Sequence, residues 1–228
     1  MPLTANSFYP AQDFHDEGMH PIQKKVNGKV VREVYLYEQT LIKRFIQKSI
    51  FSDVRQVWKM EDRALRRLGG LPVPATYGYT VTKHKGMVEI IYSREYLQGH
   101  PIDIFTLADM ALLGKRMAQI HKWGVITRDP APNNFIKTAD GDILFIDFGR
   151  SALISPKNPG RAYYLGKELA RVRYHALSGD ILLYKHFKKA YFAALRAGSV
   201  QRWLINRISD PWYRRFTQKH SRPQKPFG

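Results

Sequence analysis

The chain has 228 residues, a formal net charge of +18, 44% hydrophobic residues and no cysteine. This composition is sufficient for a packed core, and it excludes a disulfide framework, a thiolate metal site and a fully disordered chain. No apolar run is long enough for a membrane-spanning helix and no signal peptide is recognisable, so we expect a cytoplasmic protein that is soluble or peripherally bound.

The positive charge is concentrated towards the C-terminus. Residues 151–228 hold 16 Lys and Arg against 3 Asp and Glu, which is +13 of the total of +18. A region of this kind suits a polyanionic partner, which can be nucleic acid, anionic lipid or a phosphorylated glycan. The alternative is a solvated basic face that keeps the protein soluble.

The first half of the chain is predicted to be rich in β-structure. Residues 1–20 are interpreted as an irregular leader and residues 21–97 as a β-rich unit. Asn27-Gly28 is typical of a two-residue hairpin turn. Residues 41–46 and the alternating pattern of residues 75–97 predict further strands.

One helix interrupts this β-rich unit. Ser52-Asp53 is predicted to cap it, and Trp58, Glu61 and Leu65 recur behind the cap at helical spacing along one stripe. Glu61 is a carboxylate among apolar neighbours, so it needs a cationic partner.

Helices dominate from residue 98 onward. Thr106 is predicted to cap a helix over about residues 107–122, with Asp109 in the position of a capping-box acid. A proline-rich loop over residues 127–134 and an apolar strand over residues 143–146 follow this helix. The rest of the chain again has helical periodicity.

This order of elements predicts an α+β protein with two lobes. Residues 21–97 are assigned to an N-lobe, residues 98–200 to a C-lobe and residues 201–228 to a basic, aromatic C-terminal segment. The last segment, which includes Trp203 and Trp212, suits the interface of an anionic membrane. A final helix packed on the C-lobe is the alternative.

Three polar residues in and behind the proline-rich loop have a spacing suited to phosphoryl transfer. Asp129 and Asn134 are five residues apart, and Asp147 follows thirteen residues later. A carboxylate can orient an attacking hydroxyl and accept its proton, which is the role assigned to Asp129. Mg²⁺ prefers hard oxygen ligands, which are assigned to Asn134 and Asp147.

Residues 127–134 and the sequence Asp147-Phe148-Gly149 resemble the catalytic and metal loops of the protein-kinase-like superfamily, H-R-D-x-x-x-x-N and D-F-G. The resemblance implies a two-lobed protein-kinase-like fold that uses ATP and Mg²⁺. The chain departs from the pattern in three ways. Thr127 replaces the usual His, the Gly-rich phosphate loop is absent, and no A-P-E sequence follows the metal loop.

Lys43 and Glu61 are predicted to form an ion pair. Lys43 shares a strand face with Leu41 and Phe45, so its amine needs an anionic partner just as Glu61 needs a cation. Their separation of eighteen residues fits the superfamily's lysine–glutamate pair, in which the lysine steadies the phosphates of the nucleotide. The alternatives are Arg44 in the role of the lysine, and a lysine that reaches solvent beside an exposed glutamate.

The chain further resembles the bacterial lipopolysaccharide core kinases, the Kdo and heptose kinases, over about residues 25–195. The compact size, the short segment after the metal loop and the stretch from Glu95 to Gly99 carry this resemblance. It implies phosphate transfer from ATP to a sugar hydroxyl of an acidic glycolipid at the cytoplasmic face of the inner membrane. By its position in the superfamily pattern, the segment of residues 94–99 would be the hinge between the lobes, where adenine would pair with backbone groups near Glu95 and Leu97. The alternative is a plain strand end. Where this chain has Glu168, that family usually has Asp.

Two other functions remain open on the sequence. A RIO-like atypical serine/threonine protein kinase that acts on RNA-associated machinery would place the net charge of +18 against RNA. A catalytically silent kinase-like module would bind without transferring phosphate. The intact set of Lys43, Glu61, Asp129, Asn134 and Asp147 argues against the silent module.

Overall fold

A computed structural model describes residues 18–27, 30–49, 56–84 and 86–221 of the chain. The protein is of the α+β class, with a five-stranded antiparallel sheet and several helices. It divides into two compact units: the first comprises residues 1–98 with 148–150, and the second comprises residues 99–147 with 151–228. Among the described residues, no helix combines the length and the apolarity that crossing a bilayer requires.

The sheet of the first unit has the strand order β1-β2-β3-β5-β4. Strands β1 and β2 form the predicted hairpin, but Asn27 pairs with Val30, so Asn27 belongs to β1 and not to the turn. The two residues between the strands, Gly28 and Lys29, lie outside the described residues. The predicted strand at residues 41–46 is observed within β3. The strands are β1 (His20–Asn27), β2 (Val30–Tyr37), β3 (Thr40–Gln47), β4 (Thr76–His84) and β5 (Met87–Glu95).

The helix of the first unit, α1 (Val57–Arg67), packs against the sheet through its predicted stripe. Trp58 is fully buried, and its ring lies 4.6 Å from that of Tyr79, between centroids. The predicted cap Ser52-Asp53 lies outside the described residues, and Gln56 holds the N-cap position. The core around Trp58 also contains Phe45, Val88, Ile90 and Tyr92.

The second unit contains two close helix pairs. Helix α2 packs against α4, and a Cβ at Gly114 would lie only 2.7 Å from the Phe187 carbonyl oxygen. Helix α3 packs against α5, and a Cβ at Gly166 would lie 2.7 Å from Cβ of Ile208. Because a larger residue at either position would clash, the two glycines allow the helices of each pair to approach closely. The helices are α2 (Met110–Lys122), α3 (Arg161–Arg171), which continues into a π-helical turn (Val172–Ala176), α4 (Ile181–Leu195) and α5 (Ser199–Ser221).

Helix α2 begins later than the sequence predicts. Its first helical residue is Met110, with Asp109 at the N-cap, whereas Thr106 was expected to cap a helix from about residue 107. The Asp109 carboxylate accepts hydrogen bonds from the Thr106 backbone N–H, at 2.8 Å, and from its hydroxyl, at 2.7 Å. The Thr106 hydroxyl is thereby used as a donor to Asp109, so residues 107–109 form a turn and not the first turn of the helix.

Short strands of the second unit frame the loops that carry the predicted site residues. Strand β7 pairs with β10, while β8 pairs with β9 and with β6. The proline-rich loop joins β7 to β8, and the metal-loop sequence follows β9. These strands are β6 (His100–Pro101), β7 (Val125–Ile126), β8 (Phe135–Lys137), β9 (Ile143–Phe145) and β10 (Ala152–Leu153).

Candidate active site

The proline-rich loop is closed by hydrogen bonds of Asn134. Its side-chain Nδ2 donates to the carbonyl oxygen of Asp129 at 2.8 Å, and its backbone N–H donates to the Ala131 carbonyl oxygen at 3.0 Å. Pro132 begins a single 3₁₀ turn, which suits a residue that has no N–H and a fixed φ. The loop therefore holds the backbone of Asp129 and the side chain of Asn134 in one fixed relation.

A backbone hydrogen bond brings Asn134 and the metal-loop sequence together. The N–H of Ile146 donates to the Asn134 carbonyl oxygen at 2.9 Å, which extends the β8–β9 ladder by one step. The next residue in the chain is Asp147. Beneath this pair, the buried rings of Phe135 and Phe145 pack edge to face with centroids 5.0 Å apart. The backbones of Asn134 and Asp147 thus lie near each other at the open end of a hairpin with a packed base.

The donor set of this hairpin end fits Mg²⁺. Because Nδ2 of Asn134 is a donor to Asp129, the other amide atom is Oδ1, and it accepts no hydrogen bond from the part of the chain that the structure describes. Asp147 adds a half-buried carboxylate. Mg²⁺ commonly takes one or two protein oxygens and completes its octahedron with phosphate oxygens and waters. The described residues contain no group of three or more His, Asp or Glu side chains that could hold a metal.

The buried carboxylate of Glu168, in α3, holds the start of the proline-rich loop. It accepts a short hydrogen bond from the Thr127 hydroxyl and another from the Arg128 backbone N–H at 2.8 Å. Its second oxygen accepts from Nη1 of Arg171 at 3.0 Å. Arg128 has a φ of 64°, a left-handed conformation that is uncommon for a non-glycine residue. The three donors stabilise the buried negative charge, and together they fix the turn that precedes Asp129.

The two residues that differ from the family patterns, Thr127 and Glu168, therefore form a hydrogen bond with each other. Thr127 stands where the pattern has His, and Glu168 stands where the lipopolysaccharide core kinases usually have Asp. The longer glutamate side chain reaches both the short threonine hydroxyl and the loop backbone. Sequence reasoning treated the two replacements separately and missed this hydrogen bond. The available signals were the two departures in one chain and the resemblance itself, which places residue 168 in a helix beneath this loop, where a longer side chain could still hold it.

In the first unit, the predicted pairing of Lys43 with Glu61 is confirmed. Lys43 Nζ lies 2.7 Å and 2.6 Å from the two carboxylate oxygens of Glu61, and both side chains are buried. Arg44, the alternative to Lys43, instead contacts Glu89 at 2.5 Å and Glu33 at 3.1 Å. The role of Lys43 in binding a nucleotide stays a prediction.

Arg94 is a third member of this buried group that the sequence analysis missed. Its Nε lies 3.0 Å from Oε1 of Glu61, as an ion-pair contact without hydrogen-bond geometry, and its Nη1 donates to the Glu95 carbonyl oxygen at 2.9 Å. Strand alternation could have found it, because Arg94 lies opposite Leu41 in the β3–β5 register, on the same face as Lys43. Glu61 therefore contacts two cationic side chains, Lys43 and Arg94.

Tyr92 lies on the same buried face, opposite Lys43, and its pKa is well above the ordinary value. Burial is the main cause, and the negative charge of Glu61 adds to it. Tyr92 is therefore a neutral phenol at any physiological pH, and it adds no negative charge beside Lys43.

The two residues predicted to pair with adenine differ in what their backbone groups already bind. The N–H of Glu95 donates to the Ala75 carbonyl oxygen at 2.8 Å, so it is already engaged. The backbone of Leu97 forms no hydrogen bond with the described residues. Of the two predicted positions, Leu97 thus offers both a donor and an acceptor, and adenine pairing there stays a prediction.

The C-terminal segment is a packed helix over residues 201–221. Ile205 and Ser209 of α5 are buried, and helix α5 lies along α3. Trp212 is half-buried, whereas Trp203 remains 62% exposed. Of the two alternatives for this segment, the packed helix is therefore the one observed; contact with a membrane stays a prediction.

Comparisons with known proteins add little to this geometry. No protein-family model matches the chain, and no curated protein matches it. Among solved structures, the chain is similar to the crystal structure of WbdD, with 17% sequence identity and a TM-score of 0.47. The alignment covers 86% of this chain and 51% of WbdD, so the chain spans about half the length of that protein. The function is therefore inferred from this chain's own residues.

Proposed function

We propose that the protein is an ATP-dependent phosphotransferase of protein-kinase-like fold that phosphorylates a sugar hydroxyl of the lipopolysaccharide core. The observation that carries the proposal is the hydrogen-bonded arrangement of the second unit. Asn134 binds the backbone of Asp129 through its amide at 2.8 Å and pairs with Ile146 through its carbonyl at 2.9 Å. Three oxygen-bearing side chains with the spacing of a kinase catalytic centre are thereby tied to one hairpin end.

Each residue has a distinct chemical task in this proposal. Asp129 accepts the proton of the acceptor hydroxyl and orients it for attack on the γ-phosphate. Asn134 and Asp147 would hold Mg²⁺, which, when bound, neutralises charge on the phosphates. Glu61 holds Lys43 extended, and Lys43 binds phosphate oxygens of the nucleotide. The adenine ring pairs with the backbone near Glu95 and Leu97, with Leu97 the better placed of the two.

The acceptor is inferred from charge. The C-terminal region carries a strong excess of Lys and Arg, and lipopolysaccharide core is an acidic glycolipid. Such a substrate would be met at the cytoplasmic face of the inner membrane, so the proposal includes peripheral contact with an anionic membrane.

The test is phosphate transfer from radiolabelled Mg·ATP. Dephosphorylated lipid A–core, RNA-bound protein and a general protein substrate are compared side by side. Label on the glycolipid supports the proposal, and label on protein alone replaces the sugar acceptor with a protein acceptor. Retained ATP binding without label on any acceptor would indicate a silent binding module.

Three variants test the residue assignments. Asp129→Ala is expected to lower transfer by at least about 100-fold while ATP binding is retained, because the role of Asp129 is at the acceptor. Asp147→Ala is expected to weaken Mg·ATP binding as well. Asp140→Ala, in the exposed turn of the same hairpin, is the matched control and should transfer phosphate normally. Unchanged turnover in Asp129→Ala would overturn the assignment of the catalytic loop.

A further inference from the structure

Three cationic side chains of the second unit lie against the neighbouring rings of Trp212 and Phe216, and the charge of Arg128, in the catalytic loop, acts on one of them. Lys167 Nζ lies 3.8 Å from the centroid of the Trp212 ring, and the guanidinium carbon of Arg215 lies 5.0 Å from the same centroid. Arg171 lies 5.9 Å from the Phe216 ring centroid. We call Arg128, Lys167, Arg171 and Arg215 the cationic cluster.

The cationic cluster has too few carboxylates to balance it. Arg171 pairs with Glu168, which also accepts from Thr127 and from the Arg128 backbone. The side chains of Arg128, Lys167 and Arg215 have no carboxylate within ion-pair distance among the residues that the structure describes. Lys167, Arg171 and Arg215 are instead held near one another by cation–π contacts with the rings of Trp212 and Phe216.

The electrostatics of Lys167 agree with this geometry. Burial lowers the pKa of Lys167, and the positive charges of Arg171, Arg128 and Arg215 lower it further. Mutual repulsion of this kind is relieved when an anion binds among the cations.

The cationic cluster adjoins the catalytic loop through Glu168. Lys167 and Glu168 are consecutive in α3, and the Glu168 carboxylate lies 2.8 Å from the backbone nitrogen of Arg128. The residue after Arg128 is Asp129, the proposed base. The contact therefore links the cations of α3 to the catalytic loop within one compact unit.

We propose that Lys167, Arg171 and Arg215, with Arg128 at the edge, bind an anionic oxygen group of the acceptor, either a phosphate or a carboxylate. Binding of an anion at these residues does not depend on the proposed function. Their role as a subsite for the acceptor rests on the proposed phosphotransferase function. Guanidinium and ammonium groups are the usual protein ligands of such oxyanions, and several converging cations add specificity for charge.

The surroundings of Trp212 favour a compact anion over single-stranded RNA. Proteins that bind single strands without sequence preference stack bases on exposed aromatic faces. The Trp212 ring instead contacts Lys167 and Arg215, and it packs against Tyr163 and Phe216 with centroids 6.1 Å and 5.9 Å away. It therefore serves to hold cations and does not offer a free face to a base.

The direct test is a titration observed at the Trp212 indole. Protein labelled with ¹⁵N at tryptophan is titrated with inorganic phosphate, and separately with acetate, against sodium chloride at matched ionic strength; Trp212→Phe assigns the signal. We expect a saturable shift of the Trp212 signal, and the anion that binds more tightly identifies the group. The signal of exposed Trp203 on the same helix should not move. A Trp212 signal that moves no more with either anion than with chloride overturns the proposal.

Two charge-matched variants make the titration specific. Lys167→Gln is expected to lower the affinity for the anion at least about tenfold, because a hydrogen bond to a charged group contributes more than a factor of ten in affinity. Lys189→Gln removes one exposed lysine of α4, which has no carboxylate partner among the described residues, and should leave the affinity unchanged. Equal effects of the two substitutions would show a general charge effect and overturn the site.

Transfer kinetics separate this proposal from the proposed function. With lipid A–core as acceptor, Lys167→Gln should raise the KM for the acceptor about tenfold and leave the KM for ATP unchanged. If the protein transfers no phosphate at all, the proposed function fails while the titration still reports the anion site. If transfer is normal and the acceptor KM does not respond, the subsite fails while the proposed function stands.

Discussion

Glu61 in the first unit and Glu168 in the second are both buried, at 2% and 0% exposed, yet they bind different kinds of partner. Glu61 lies between two cations, Lys43 and Arg94. Glu168 accepts from a hydroxyl and a backbone N–H and has one cationic partner, Arg171. The first glutamate thus holds two cationic side chains, whereas the second holds a stretch of backbone. Their loss should therefore affect different measurements.

The largest expected effect is on stability, from Glu168→Ala. The substitution leaves the Arg128 N–H and the Arg171 guanidinium without their acceptor in a buried site, which costs about 3 kcal/mol of unfolding free energy. Urea unfolding measures this loss. Glu168→Gln is the control, because it keeps the shape and one acceptor oxygen, and it should lose less. A stable Glu168→Ala protein would show that Glu168 does not hold the loop.

Lys43→Met should have its main effect on transfer and little on stability. It removes the amine that we assign to the nucleotide phosphates, and we expect kcat/KM for ATP to fall about 100-fold, comparable to the loss of one preorganised donor. Glu61 keeps Arg94 at 3.0 Å, so the buried carboxylate retains a cation.

Arg44→Met is the matched control for Lys43→Met. It removes the neighbouring cation of the same strand, whose partners are Glu33 and Glu89, and it should leave the KM for ATP unchanged. If Lys43→Met unfolds the protein as severely as Glu168→Ala does, the distinction between the two glutamates is lost.

A third buried polar pair, between α2 and α4, carries no charge and predicts a pH dependence. Burial, with a smaller contribution from Arg161, lowers the pKa of His121 to about 3, and its Nδ1 lies 2.8 Å from the Tyr191 hydroxyl. The unfolded chain takes up a proton near the ordinary pKa of about 6.5 while the folded protein does not. Stability is therefore lost as pH falls from about 6.5 towards 3, by about 2 kcal/mol at pH 5.

Urea unfolding between pH 5 and pH 7 measures this contribution of His121. His121→Gln, which cannot titrate, should lose this part of the pH dependence even if it is less stable throughout. An unchanged slope in His121→Gln would assign the pH dependence to other groups.

The sequence predicted those parts of the site that depend on local periodicity. Strand alternation placed Lys43 on an apolar face and the helical stripe placed Glu61 on another, so each required a charged partner, and the structure contains that pair. The spacing from Asp129 to Asn134 and Asp147 was read directly from the chain. Which of these residues bind a nucleotide or a metal remains a prediction.

The sequence could not predict contacts that depend on where distant backbone groups point. Thr127 and Glu168 are forty-one residues apart, and the residue beside their contact, Arg128, has a left-handed φ that no residue pattern predicts. The prediction that α2 begins at about residue 107 was wrong for a related reason. A side-chain hydrogen bond from Thr106 to Asp109 competed with the expected cap.

The smallest expected effect belongs to Thr127→Val, which tests whether Glu168 needs the hydroxyl or only the backbone N–H. Valine keeps the shape but removes the hydrogen-bond donor, so we expect a loss of about 1 kcal/mol of unfolding free energy. Because Glu168 still accepts from Arg128 and Arg171, the loop should stay in place and transfer should fall only a few-fold. Thr127→Ser restores the donor and should recover most of the stability. If Thr127→Val lowers the unfolding free energy as strongly as Glu168→Ala does, the hydroxyl itself is essential to the loop, and the backbone N–H of Arg128 does not suffice to hold it.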